Sequence, residues 1–396
     1  INRLYLYNVW DEITIGQLAK DAKLRQKGGI KSPIITDMLK GQQVKVLEEL
    51  EDWDKVISED GFIGYVEKKK VTGLTKDKPV SSFQAPVYTN ISMDEEIRLV
   101  WHQVTVKDAN KNMEKLMADS KGVNVISPTW YSVTSNEGEF SSLADKNYVD
   151  KAHDMGMQVW ALIDNFNENI DDYELLKTTS TRQKLINSLV RELLEFGIDG
   201  INVDFETVSE KAAPAYIQFI RELSIACRKN KLVLSIDNYV PASYNQYYNR
   251  EEQGIVADYV IIMGYDEHWA GSEPGSTASL PFVDRGIRDT LEQVPKEKVI
   301  NAVPFFTRIW TDGGSKAAGI YKVEDIIEEK QLQPVWLEDL GQYYVEYEEE
   351  GKTTSIWVED VRSMKLKMDT VEKYDIAGIA CWKLGLESKE IWDVIS

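Results

Sequence analysis

Two cysteines and three histidines are all that 396 residues hold of the side chains that cross-link small folds or bind zinc. Two thiols make no disulfide framework. Cys227 lies on a helical apolar stripe with Tyr216, Ile220 and Leu223, and Cys381 lies in an apolar strand, so both are expected as buried free thiols. His102, His153 and His268 are too widely spaced for a zinc pattern. No metal and no cofactor is expected. Cations are scarce as well: 46 Lys and Arg face 66 Asp and Glu, a formal net charge of −20. Phosphate binding rests on Lys and Arg, so the balance argues against nucleic acid and against anionic membranes. No apolar run is long enough to span a bilayer. The chain starts at Ile1 and not at Met, which fits removal of a signal peptide or of further domains upstream. Apolar residues, by contrast, make up 43% of the chain, with 11 Trp and 19 Tyr. That is enough for a substantial core and for two domains, one of them large.

Residues 199–206, Asp-Gly-Ile-Asn-Val-Asp-Phe-Glu, carry the strongest chemical signal. A strand alternates its side chains between two faces. Ile201, Val203 and Phe205 then share one face, suited to packing against helices, while Asn202, Asp204 and Glu206 share the other. On a parallel barrel that polar face lines the interior and reaches the C-terminal mouth, where barrel enzymes keep their chemistry. Carboxylates two residues apart on one strand face are roughly 6.5–7 Å apart at the backbone. Both cannot ionise freely when they converge, so one is held protonated, as a general acid must be. A solvated edge strand would not carry three apolar partners. The preceding stretch 181–196 places Leu185, Leu189 and Leu193 on one helical stripe with Gly197 as its stop, so helix, loop and strand follow in the order of a parallel βα repeat.

Three further stretches organise the chain. Residues 1–23 contain one expected strand at Leu4–Asn8, and residues 24–73 alternate short strands with turns, as a small barrel does. Residues 74–94, with Pro79 and Pro86, read as a linker. From 95 to 396, apolar strands near 97–101, 123–127, 157–163, 200–206, 232–236, 258–264, 299–305 and 377–382 alternate with helical patterns. The expected fold class is therefore α/β, a (β/α)₈ barrel preceded by a small all-β barrel. Gln342–Tyr347 and Thr353–Val358, flanking Glu350-Gly351-Lys352, read as a hairpin within a small α+β insertion at about 312–360.

The octapeptide resembles the fourth-strand signature of glycoside hydrolase family 18, the chitinase-like enzymes, whose pattern is Asp-x-x-Asp-x-Asp-x-Glu. Met263-Gly264-Tyr265-Asp266 is similar to that family's sixth-strand motif, and Trp382 stands at the end of the eighth. The string from Tyr265 to Ser272 resembles the branch that holds spore-cortex-lytic N-acetylglucosaminidases. Residues from Leu24-Arg25 through Gly64-Tyr65-Val66 resemble bacterial SH3-like domains, some of which bind cell-wall peptides and some of which are spacers. Asn202 departs from the family pattern, which has an Asp there that shares a proton with the next Asp.

The resemblance implies a retaining hydrolase of β-1,4-linked N-acetylglucosamine polymers, peptidoglycan or spore cortex before chitin, working at the cell wall or spore envelope. It implies Glu206 as acid and base, and Asp204 and Tyr265 as holders of the substrate acetamide. Trp382 becomes the floor under the sugar, and Asn202, Asp266, Trp130 and Arg308 become substrate-binding candidates, with Tyr131 and Trp310 as further subsite aromatics. Two rivals use the same residues. A metal enzyme would draw oxygen ligands from several strands, and no second acidic cluster is obvious. A lectin-like wall protein would typically have lost the terminal Glu, which is present at 206.

Overall fold

The computed structural model describes residues 12–78, 89–311, 314–349 and 351–396, and the chain divides into two compact units, Ile1–Val87 and Tyr88–Ser396. The first is a seven-stranded antiparallel sheet of β1 (Ile13–Leu18), β2 (Ala22–Arg25), β3 (Ile34–Met38), β4 (Gln43–Glu49), β5 (Trp53–Ser58), β6 (Ile63–Glu67) and β7 (Val71–Asp77), in the order β3-β2-β6-β5-β4-β1-β7. Alternate residues turn inward, so Leu18, Leu24, Met38, Val44, Val56 and Val66 form its core. The sheet takes in more of the chain than expected, both before and after residues 24–73, and the added strands share one edge. β1 pairs with β4 and β7, so strand structure begins within 1–23, and β7 runs into the stretch read as a linker. Gly16 permits this, since a Cβ there would stand 2.8 Å from Val71 Cγ1. The strand expected at Leu4–Asn8, and residues 79–88 of the linker, lie outside the described residues.

The second unit is a closed barrel of eight parallel strands. In chain order these are β8 (Ile97–His102), β9 (Val125–Ser135), β11 (Gln158–Asp164), β12 (Gly200–Asp204), β13 (Val233–Tyr239), β14 (Tyr259–Met263), β15 (Val299–Pro304) and β21 (Gly378–Trp382), with β8 pairing both β21 and β9 to close the ring. β9 runs further than expected and turns back through β10 (Glu139–Ser142) as a hairpin on the mouth. Leu99, Trp101, Leu162, Ile261, Ile300 and Ala380 fill the interior, while Ile201, Val203 and Phe205 face the helices as their alternation requires. The helix Thr179–Phe196 buries Leu185, Leu189 and Leu193; Thr178 caps its start and Gly197, with φ 71°, ends it. Cys227 and Cys381 are both buried and free. No helix among the described residues is long and apolar enough to cross a membrane.

Between β15 and β21 the chain leaves the barrel for a second sheet, β16 (Phe306–Thr311), β17 (Gly314–Gly319), β18 (Val335–Leu337), β19 (Gln342–Glu349) and β20 (Lys352–Val358), ordered β17-β16-β20-β19-β18. β19 and β20 are the expected hairpin. The insertion begins at Phe306, earlier than residue 312, because β16 is its central strand and not part of the barrel. It is tied down by a buried ion pair. Lys367, on the helix Val361–Tyr374, reaches Glu359 at 2.9 Å with both side chains at most 1% exposed, and Glu359 also accepts from Gln342 and Ser363. Lys367→Met would strand that carboxylate in the core, a loss of about 3–5 kcal/mol. Urea unfolding measures it, and an unchanged midpoint would show the pair to be energetically neutral.

Candidate active site

Strand register sets the site. β11 and β12 pair Asp164 with Asp204, and β12 and β13 pair Val203 with Ile236, which brings Asp237 level with Asp204. Three carboxyls thus stand in a row on adjacent strands at the mouth. Glu206 lies two residues further on, beyond the ladder, where its backbone N–H donates to Asn165 and its carbonyl accepts from the Tyr248 hydroxyl at 2.8 Å. The Tyr239 hydroxyl donates to its carboxylate. Asp199, at the other end of the motif, is structural. It accepts the Val159 N–H at 2.8 Å and pairs with His153, joining β11 to the start of β12.

Beneath the carboxyls sits Asn202, wholly buried. Its oxygen accepts from the Trp101 indole at 2.8 Å and from Ser127 at 3.3 Å; its amide donates to Ser235 at 3.1 Å and to Asp237 at 2.8 Å. An indole N–H only donates, so it fixes which way the amide points. The expectation that Asn202 touches substrate is therefore corrected: its burial and its four bonds make it a support for Trp101 and Asp237. It makes no hydrogen bond to Asp204.

A cavity of about 210 Å³ opens above, lined by Trp101, Phe166, Asp204, Glu206, Asp237, Tyr239, Tyr265, Asp266 and Trp382. Trp382 meets Trp101 edge-on, centroids 5.8 Å apart, leaving the half-buried Trp382 to wall the cavity. Tyr265 packs edge-on against Phe306 of the insertion, at 6.0 Å. The intervening Gly264 is demanded by the neighbouring strand, since a Cβ there would lie 2.6 Å from the Ala302 carbonyl. Asp266 follows in the left-handed region, φ 56°, and its carboxylate holds Arg308 of β16 at 2.7 Å. Arg308 thus stands at the rim, locked to Asp266 and outside the cavity lining.

Three aromatic expectations fail. The register between β9 and β11 shifts at Trp130, so Trp130 and Tyr131 both end in the helix-facing core. The Trp130 indole donates to Asn110 at 2.8 Å, and its ring packs on Tyr148 at 5.0 Å. Trp310 is likewise buried, bonded to the Gly275 carbonyl. Sequence reasoning missed Asp237, Tyr239 and Trp101. Ser235-x-Asp237-x-Tyr239 has the same alternating polarity as Asn202-x-Asp204-x-Glu206 one strand earlier, and that signal was available.

The electrostatics follow from burial. Loss of solvent, reinforced by the charges of Asp237, Glu206 and Asp164, holds the Asp204 carboxyl well above the ordinary range. Burial raises Asp237 likewise, offset in part by the Asn202 bond. Glu206 is also raised by burial; the Tyr239 bond works against this, and Asp266 and Asp164 add to it. Among the described residues, no group of three or more His, Cys, Asp or Glu is arranged to hold a metal ion.

The family model "Glycosyl hydrolases family 18" matches residues 61–387, and a "Bacterial SH3 domain" model matches residues 20–72. The chain is 25% identical over 291 residues to the uncharacterized glycosylase YvbX of Bacillus subtilis (strain 168), covering 69% of this chain and 84% of that protein. It is 23% identical over 262 residues to a cortical fragment-lytic enzyme of Bacillus anthracis, covering 63% of this chain and 61% of that one, so it spans less than two thirds of that relative. The solved spore cortex-lytic enzyme SleL of Bacillus cereus superposes with TM-score 0.69 at 19% identity, over 76% of this chain and 73% of that one, a likeness of fold.

Proposed function

Because the chain belongs to glycosyl hydrolase family 18 and is a glycosidase, we propose that it cleaves β-1,4-linked N-acetylglucosamine glycans with retention, using the substrate's own acetamide as nucleophile. One observation carries the reading most: Glu206, its pKa raised by burial, lines an aromatic-walled cavity together with Asp204. Glu206 donates its proton to the leaving glycosidic oxygen. The acetamide oxygen closes on the anomeric carbon, giving an oxazolinium ion. Asp204 holds the acetamide N–H and offsets its growing positive charge, and the Tyr265 hydroxyl holds the acetamide oxygen. Trp382 supports the sugar's C–H face. Water, deprotonated by Glu206, then opens the ring.

Peptidoglycan or spore cortex is the favoured polymer, and cell wall or spore envelope the favoured location; the likeness to a cortical fragment-lytic enzyme and the SH3-like unit support both. Mass spectrometry of digests tests this choice. Muropeptide fragments with new N-acetylglucosamine reducing ends are expected from purified peptidoglycan, and cleavage confined to chitin oligomers would overturn it. The mechanism has its own test. A thiazoline analogue of N-acetylglucosamine mimics the cyclised intermediate and should compete with substrate, binding at least about 10²-fold tighter than the sugar itself. An active enzyme indifferent to it would not use the acetamide.

The SH3-like unit is assigned to wall attachment. The row of carboxyls belongs wholly to the barrel unit, and the division between the two units falls after Val87. A chain beginning at Tyr88 should keep its rate on short soluble oligosaccharides and lose rate on insoluble wall, because tethering raises local substrate concentration. Parallel assays on both substrates decide it. Loss on the soluble substrate with the barrel folded would give the unit a part in catalysis.

A further inference from the structure

We propose that Asp237 is a positioning residue that shares one proton with Asp204 and takes that proton up when substrate arrives, so that Asp204 meets the acetamide as a carboxylate. The inference rests on the reading above, and it assigns to β13 a proton-holding role that Asn202 of β12 cannot fill. An amide holds no exchangeable acid proton near neutral pH. Its N–H groups, moreover, are spent on Ser235 and Asp237.

The geometry is that of a carboxyl pair. Neighbouring strands run about 4.8 Å apart, and the register sets Asp204 and Asp237 side by side on them, both facing the same cavity. Both are almost fully buried, at 5% and 3% exposure. Asp164, next along the row, has its own donors in Ser132 at 2.8 Å and the Phe166 N–H at 3.2 Å. Asp204 does not: its Oδ1 is buried without a partner. A buried oxygen left bare is costly, and a proton on it, donated to the adjacent Asp237 carboxyl, would satisfy it.

The surroundings favour one negative charge over two. The titratable groups around the pair are Glu206 beyond the end of β12, Asp164 of β11, Tyr239 at the end of β13, Tyr265 after β14, Asp266 at the rim, and Tyr216 from the helix behind. Among the described residues, no Lys or Arg is among the charges acting on either carboxyl. Two like charges at such spacing, without a cation, do not both ionise. Asn202 donates to Asp237 in either state, because a carboxylic acid keeps acceptor capacity on its carbonyl oxygen. When the acetamide N–H approaches, the O–H bond at Asp204 breaks and one forms at Asp237. The pair's total charge stays at −1 throughout.

Asp237→Asn tests this without altering shape. In the folded protein at neutral pH its net charge should equal that of the wild type, since a shared proton leaves with the acid group it neutralised. Capillary electrophoresis reads that difference, and a shift of one full positive unit would mean that both carboxyls were ionised and would overturn the proposal. Kinetically, kcat should fall at least about 10-fold with KM little changed. The acidic limb of the kcat pH profile should move to lower pH, because an amide at that position cannot return a proton to Asp204. A merely structural role would lower activity without moving that limb, and that outcome also rejects the proposal. Asp237→Ala, run in parallel, should keep the wild-type net charge too, so the charge readout stands even if one variant folds poorly. If wild-type enzyme cleaves no N-acetylated glycan, the functional reading fails by itself; if it cleaves and Asp237→Asn keeps the wild-type profile, only the proton-sharing role fails.

Discussion

Glu206→Gln is expected to lower turnover by about 10²–10⁴-fold while the protein stays folded and still binds sugar. Gln matches Glu in shape, and its carbonyl can keep the hydrogen bond from Tyr239, so the loop after β12 has no reason to move. What disappears is the proton. The pH profile carries a second signature. Burial raises the Glu206 pKa, so its proton persists toward neutral pH, and kcat/KM of the wild type falls as pH rises through that value. The variant's residual rate should lack this alkaline limb. Wild-type turnover in the variant would remove Glu206 from the mechanism.

Asp204→Asn should separate activity from stability. Loss of the charge that offsets the developing oxazolinium should lower kcat by about 10²–10³-fold, the scale for removing one electrostatic contact made in the transition state. Stability should move the other way. The folded-state pKa of Asp204 is raised, so the native protein holds a proton that the unfolded chain releases above its ordinary value. The carboxyl's contribution is therefore full in acid and is lost as pH rises toward the folded pKa. Asn cannot ionise, and the variant should melt no lower than wild type at neutral pH, with a flatter fall in melting temperature between mild acid and neutrality. A melting temperature well below wild type at neutral pH, with activity retained, would contradict both halves.

The barrel was legible because its signals are local. Alternation in Ile201-Asn202-Val203-Asp204 set the strand's two faces, and the stripe Leu185, Leu189, Leu193 ending at Gly197 set the helix before it. The failures arose where the outcome depends on neighbours. Trp130 follows an apolar strand as a cleft residue would, but a register shift against β11 turned it to the helices. Asn202 was read against Asp204 on its own strand, whereas side chains of adjacent parallel strands meet across the barrel, and its partners are on β8, β9 and β13. Asp237 and Tyr239 went unread for the same reason, since their meaning lies in standing beside Asp204 and Glu206. Arg308 was read as a substrate-binding residue, but it stands outside the cavity lining, and its lock on Asp266 depends on a loop in a left-handed turn.

The central claim is that the substrate's acetamide does the nucleophilic work. It is tested most directly by following cleavage of one glycan preparation before de-N-acetylation, after it, and after chemical re-N-acetylation. The account predicts cleavage of the native and re-acetylated strands and none of the de-acetylated one, with the enzyme still docking on all three. Equal rates on acetylated and de-acetylated strands would contradict it, and would require a nucleophile from the protein itself.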